Sequence, residues 1–160
     1  DFYTKVLDMP YAMAMAEDHV PSTHEPDPYM HIFFDIGDGS FLAFFEIPKG
    51  AEEQTNRNAL GGMQHVAFVV TAEKFKEIEQ RLDAHGIERT DAIPQLPGLL
   101  GIYFYDPNGI RMEMACQPDD GEAPDVLACN TQTKAQARAE LETLDADAAW
   151  IDRVLAPLAD

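Results

Sequence analysis

Residues 101–115 read GIYFYDPNGIRMEMA, and the fold turns on how this stretch is read. Leu99–Tyr105 is an apolar and aromatic strand, Pro107-Asn108-Gly109 is a turn, and residues 110–116 pair back as a last strand. Alternate side chains of a strand share a face, so parity sorts the chemistry. Glu113 falls with Arg111 and Ala115, opposite Ile110, Met112 and Met114, while Tyr103 and Tyr105 share a face of the preceding strand. An ionised carboxylate among apolar neighbours is costly unless it is paired or metal-bound.

Working outward, residues 63–70 form a strand and Thr71 is placed to cap a helix with the apolar face Phe75, Ile78 and Leu82. Gly86 closes that helix and residues 87–94 are extended, so residues 63–117 make a βαβββ module. Residues 1–57 repeat most of that cycle. Phe2, Val6 and Met9 have helical spacing and Pro10 stops the helix. Residues 11–16 read as a strand, and residues 19–28, with three prolines, as a loop. Residues 30–36 and 41–47 flank Gly37-Asp38-Gly39 as a hairpin, and residues 48–60 are a polar linker. The cycles match if one strand precedes Asp1. The chain begins without Met, inside a helix, which also leads us to expect a preceding segment. The expected fold is therefore α+β: two βαβββ modules, residues 1–57 and 63–117, forming one domain (1–117). Residues 118–132, with Pro118, Gly121 and Pro124, read as a linker to a helical extension over 133–160. In that extension Ala137, Leu141, Leu144, Ala148, Ile151 and Leu155 recur at spacings of 4, 3, 4, 3 and 4. Such a helix packs on its own domain or, in the other reading, makes a homodimer contact.

A chain of 160 residues, 46% hydrophobic, can bury one substantial core. Its 11 Lys+Arg against 29 Asp+Glu give a charge of -18, a field that repels nucleic acid and anionic membrane surfaces. The two cysteines, Cys116 and Cys129, make no disulfide framework and read as reduced thiols of a cytoplasmic protein. No apolar run reaches membrane-spanning length, and the first residues do not read as a signal peptide.

Parity places His65 with Ala67 and Val69, and Glu46 with Leu42 and Phe44. Singly, each has a plain explanation: a solvated strand-end carboxylate, or a hydrogen-bonded structural histidine. Their recurrence at corresponding points of a duplicated unit points instead to a shared site. The other histidines read plainly. His19 and His24 are solvated loop residues, His31 begins a strand within reach of a cavity, and His85 sits at a helix C-terminus.

The segments DFYTKVLDMP, GGMQHVAFVV and GIYFYDPNGIRMEMA resemble signature segments of the vicinal oxygen chelate superfamily, which includes glyoxalases, bleomycin-resistance proteins and extradiol dioxygenases. The resemblance covers residue 1 to about residue 117. It implies a cupped, incomplete β-barrel around a divalent metal, with ligands on the first and last strands of each module. His65 and Glu113 take the first- and last-strand positions of module two, and Glu46 the last-strand position of module one. The fourth ligand, a histidine, would precede Asp1. Imidazole and carboxylate donors suit Fe, Mn, Ni or Zn.

The resemblance implies an enzyme acting on a small molecule, with three readings. In a glyoxalase-like lyase or isomerase the metal polarises the substrate and Glu46 moves a proton. In an extradiol dioxygenase, Fe(II) or Mn(II) would serve a catecholic substrate, and Tyr103, ten residues before Glu113, would be the active-site tyrosine. No histidine lies between Gly86 and Glu113, where that class places one. A metal-free binding or resistance protein is the third.

Overall fold

The computed structural model describes residues 1–37, 39–53, 56–96, 98–118, 131–144 and 146–158. Most of the expected linker over 118–132, together with Cys129 and the central Asp38 of the first hairpin, lies outside the described residues. The chain divides into two compact units, residues 1–93 with 101–116, and residues 94–100 with 117–160.

The first unit starts with a π-helical turn, Phe2–Val6, that buries Tyr3 and Val6. Strands β1 (Tyr11–His19), β2 (Pro26–Asp35) and β3 (Phe41–Glu46) follow as an antiparallel sheet in the order β1-β2-β3. Here the expected loop over 19–28 is corrected, because β1 runs on to His19 and β2 already begins at Pro26. The prolines are tolerated because the ladder is irregular there. The register shifts between Glu17 and His19, so Pro26 opens the strand and Pro28 has no ladder partner.

The second module gives β4 (Val66–Val70), α1 (Ala72–Ala84), β5 (Ile93–Leu96), β6 (Leu99–Tyr105) and β7 (Arg111–Cys116). The sheet order is β4-β7-β6-β5, with β4 parallel to β7 from Val66↔Met112 to Val70↔Cys116. A parallel pair needs a long crossover, here α1 and the β5–β6 hairpin. This is the βαβββ module read from the sequence, and β1-β2-β3 repeat its last three strands. Strand β4 is shorter than expected, so His65 stands just ahead of it rather than inside it.

Helix α1 begins where Thr71 Oγ1 accepts from the Lys74 amide at 3.1 Å, and buries Phe75, Ile78 and Leu82. Gly86 follows its end at φ +67, a conformation that costs other residues about 1 kcal/mol or more. The sheet contributes Ile102, Phe104, Met112 and Met114, all 2% exposed or less. Each such side chain contributes roughly 1.5–3 kcal/mol of hydrophobic stabilisation. Cys116 is buried as well.

The expected single C-terminal helix is instead two, α2 (Lys134–Glu142) and α3 (Ala148–Leu155). Thr133 and Gln136 start α2 with a reciprocal capping box, and Thr143 ends it. The Asp147 side chain then caps a new start by accepting from the Trp150 amide at 2.9 Å. Local capping thus overrides the heptad spacing, leaving Leu144 73% exposed while Ile151 and Leu155 are buried. Arg138 on α2 pairs with Asp152 on α3. Among the described residues no helix is long and apolar enough to cross a membrane.

Candidate metal centre

Alternation in β6 and β7 separates a core face from a working face. Ile102, Phe104, Met112 and Met114 are core, which leaves Tyr103, Tyr105, Arg111 and Glu113 on the other side. Glu113 is nevertheless only 7% exposed. His65 reaches it from the approach to β4, with Nε2 3.1 Å from Glu113 Oε2. Tyr103 completes the cluster, its ring edge-on to the His65 imidazole at 5.8 Å between centroids. Burial first, and the neighbouring Glu113 carboxylate next, hold the Tyr103 phenol above its ordinary pKa, while Arg111 pulls the other way.

His65 is held from behind. Its Nδ1 lies in hydrogen-bond contact with the Gln64 side-chain oxygen, which leaves Nε2 directed at Glu113. Nε2 faces a carboxylate oxygen. Two electron-rich atoms at 3.1 Å attract each other only through a cation, either a proton on Nε2 or a metal ion shared by both. Donors bound at roughly 2.1 Å to one metal stand roughly 3.0–3.4 Å apart, so the pair fits a common ion.

Glu46 comes from the other sheet. It ends β3 opposite Met30, is exposed, and shares its strand face with Phe44, whose ring packs on Tyr3 at 4.7 Å. Among the described residues no three His, Cys, Asp or Glu side chains are close enough together to hold a metal. The structure thus brings His65, Glu113 and Tyr103 together. His31 stacks on Phe45 at 4.2 Å within an aromatic group on β2 and β3. His19 bonds Asp18 at the exposed end of β1, and His85 caps α1.

Two clefts are open to small molecules in the first unit. One, of about 290 Å³, is apolar and lined by Tyr3, Leu42, Phe44, Met63 and Met112 among others. The other, of about 320 Å³, contains Tyr103 and Arg111 and so adjoins the His65–Glu113 pair. Arg57 also lines it, donating from Nη1 to the Tyr105 hydroxyl. Sequence reading placed Arg57 in a polar linker and passed over Gln64. Only the adjacency of Gln64 to His65 signalled the latter, and nothing local signalled the former.

Two sheets built of βαβββ-like cycles, with an imidazole and a carboxylate brought together at the head of a parallel strand pair, define an α+β class of domain. The chain belongs to the Glyoxalase/Bleomycin resistance protein/Dioxygenase superfamily, whose sequence profile matches residues 1–114. Two solved structures share the fold at low identity. A glyoxylase/bleomycin resistance protein/dioxygenase domain from Frankia sp. EAN1pec is 19% identical, with a TM-score of 0.60 over 76% of this chain and 83% of that one. A monoclinic form of the fosfomycin resistance protein FosX from Listeria monocytogenes is 20% identical, with a TM-score of 0.50 over 74% and 82%. A FosX structure from the same organism, complexed with Mn(II) and sulfate ion, is 19% identical, with a TM-score of 0.49 over 74% and 78%. Among curated proteins none matches the chain.

Proposed function

We propose that this protein is a metal-dependent glyoxalase-type lyase or isomerase acting on a small molecule that presents neighbouring oxygens. The observation carrying this reading is the 3.1 Å approach of His65 Nε2 to the buried Glu113 carboxylate. His65 and Glu113 would hold the ion, and their nitrogen and oxygen donors suit Fe(II), Mn(II), Ni(II) or Zn(II). Glu46 is assigned as a further carboxylate of the centre, on its last-strand position in module one. When bound, the metal supplies a Lewis acid for a substrate carbonyl or a pair of vicinal oxygens. Gln64 fixes the ring of His65 so that Nε2 faces the ion. Tyr103, kept protonated by its surroundings, donates a hydrogen bond to a substrate oxygen. Glu46 accepts a carbon-bound proton and returns it to the product.

An extradiol ring-cleaving dioxygenase is the second reading, favoured by the tyrosine ring set directly against His65. Both readings predict bound metal. Elemental analysis of the purified full chain, loaded in turn with each of the four metals, tests that shared requirement. Glu113→Gln should lose most bound metal while keeping wild-type secondary structure. Wild-type stoichiometry in that variant would sink the ligand assignment.

A further inference from the structure

The cleft beside the His65–Glu113 pair has a charge opposite to that of the chain. Of 11 Lys and Arg residues, three arginines, Arg57, Arg89 and Arg111, line this one cleft of about 320 Å³, against one carboxylate, Glu88. Arg89 is engaged, because Glu79 and Asp83 each hold its guanidinium at 3.0 Å. Among the described residues, Arg57 and Arg111 form no ion pair, although the chain carries 29 carboxylates. Both are instead steadied by aromatic groups. Arg111 lies over the Tyr103 ring at 4.1 Å, and Arg57 donates to the Tyr105 hydroxyl. Stacking and hydrogen bonding orient a guanidinium fork without neutralising it. A long-range field from a net charge of -18 discourages anions, so a local pair of uncompensated arginines is what an anionic ligand needs.

We propose that Arg57 and Arg111 form an oxyanion-recognising subsite, so that the substrate carries a carboxylate or phosphate-like group beside its chelating oxygens. This rests on the metal-enzyme reading for the rest of the substrate. Arg111 and Glu113 lie two apart on one strand face, about 7 Å at the ordinary strand rise. That spacing lets one small molecule meet both the metal centre and the arginines. Tyr103 lies between them, against His65 on one side and Arg111 on the other.

The test uses the full chain with inorganic phosphate and acetate as probes, and acetamide as the uncharged control, at constant ionic strength. Guanidinium NMR signals report binding, and elemental analysis on the same samples reports metal. Phosphate or acetate should bind saturably, with acetamide far weaker. Arg57→Gln and Arg111→Gln should each weaken binding by about tenfold or more, the scale of one charge-assisted hydrogen bond. Arg111→Lys should recover only part of the loss, and Arg138→Gln, on α2, should leave binding unchanged. Thermal unfolding checks that each variant is folded, and Arg57→Gln serves if Arg111→Gln is not. Equal binding of acetamide, or equal weakening by Arg138→Gln, overturns the proposal. Anion binding that survives in a protein shown to take up no metal would refute the metal-enzyme reading and leave the arginine subsite standing.

Discussion

The phenol of Tyr3 donates a 2.7 Å hydrogen bond to the Asp106 carboxylate, joining the first helical turn to the turn that launches β7. Both residues are buried. Asp106 also accepts from the Ile110 amide at 2.7 Å and the Asn108 amide at 2.9 Å, so one carboxylate shapes the Pro107-Asn108-Gly109 turn. The ring of Tyr3 meanwhile packs on Phe34 and Phe44 of the first sheet. A bond spanning 103 residues of sequence thus ties the turn ahead of the Glu113 strand to the first helical turn.

Removing that donor should be felt in stability. Tyr3→Phe keeps the ring and should cost about 1.5–3 kcal/mol, the usual range for a hydrogen bond to a charged group. Asp106→Ala strips the turn of its side-chain acceptors and should cost more. Urea unfolding of the three proteins measures both. A Tyr3→Phe midpoint equal to wild type would mean that the bond contributes nothing net.

The same bond carries a pH signature. Burial first, then the hydrogen bond to Asp106, push the Tyr3 phenol far above its ordinary value. A folded-state pKa raised above the unfolded one gives stability that is present below about pH 10 and lost as pH rises beyond it. Wild type should thus lose stability between about pH 9 and 11 more steeply than Tyr3→Phe. Parallel slopes would show that Tyr3 does not drive the loss.

Gln64 should matter for metal affinity rather than capacity. Groups that orient a ligating histidine typically govern affinity by about tenfold to a hundredfold. Gln64→Ala should therefore bind the same amount of metal at saturation with an affinity lowered by that factor. Competition with a chromophoric chelator reads it directly. Unchanged affinity would remove Gln64 from the site.

Much of this could be read from the sequence because it rests on local rules. Thr71, the apolar spacing of Phe75, Ile78 and Leu82, and Gly86 fix α1, while strand parity puts Glu113 and Tyr103 on one working face. Where the reading failed, a tertiary or competing local term decided. Pro26 and Pro28 hide a strand start because the bulge opposite them removes the need for their amides. Asp147 splits the C-terminal helix because its cap outweighs a continuing seam. Arg57 had no local signal at all, since its role depends on Tyr105, 48 residues away.

Truncation tests the division of the chain. Residues 94–100 cluster with residues 117–160, while the working face belongs wholly to the other unit. Ending the chain after Thr131 should therefore leave a folded protein whose β6–β7 core amides stay protected from exchange. Amides of residues 94–100 should lose protection. A truncated chain that does not fold would make the helices part of the core.

Glu46 decides the reaction class. If it moves a proton in a lyase or isomerase, Glu46→Ala should suppress turnover by about a hundredfold or more with substrate binding largely kept, because proton transfer is lost only in the transition state. An extradiol dioxygenase working through His65 and Glu113 would tolerate that change better. Its exposed position at the end of β3 makes the substitution a mild one for the fold. Each metal form would be assayed against catechols with oxygen monitoring, and against hemithioacetals and epimerisable thioesters without oxygen. Oxygen-independent turnover with Ni(II) or Zn(II), lost in Glu46→Ala, is the expected result. Oxygen consumption confined to the Fe(II) or Mn(II) form and indifferent to Glu46→Ala would replace the lyase reading with the dioxygenase one.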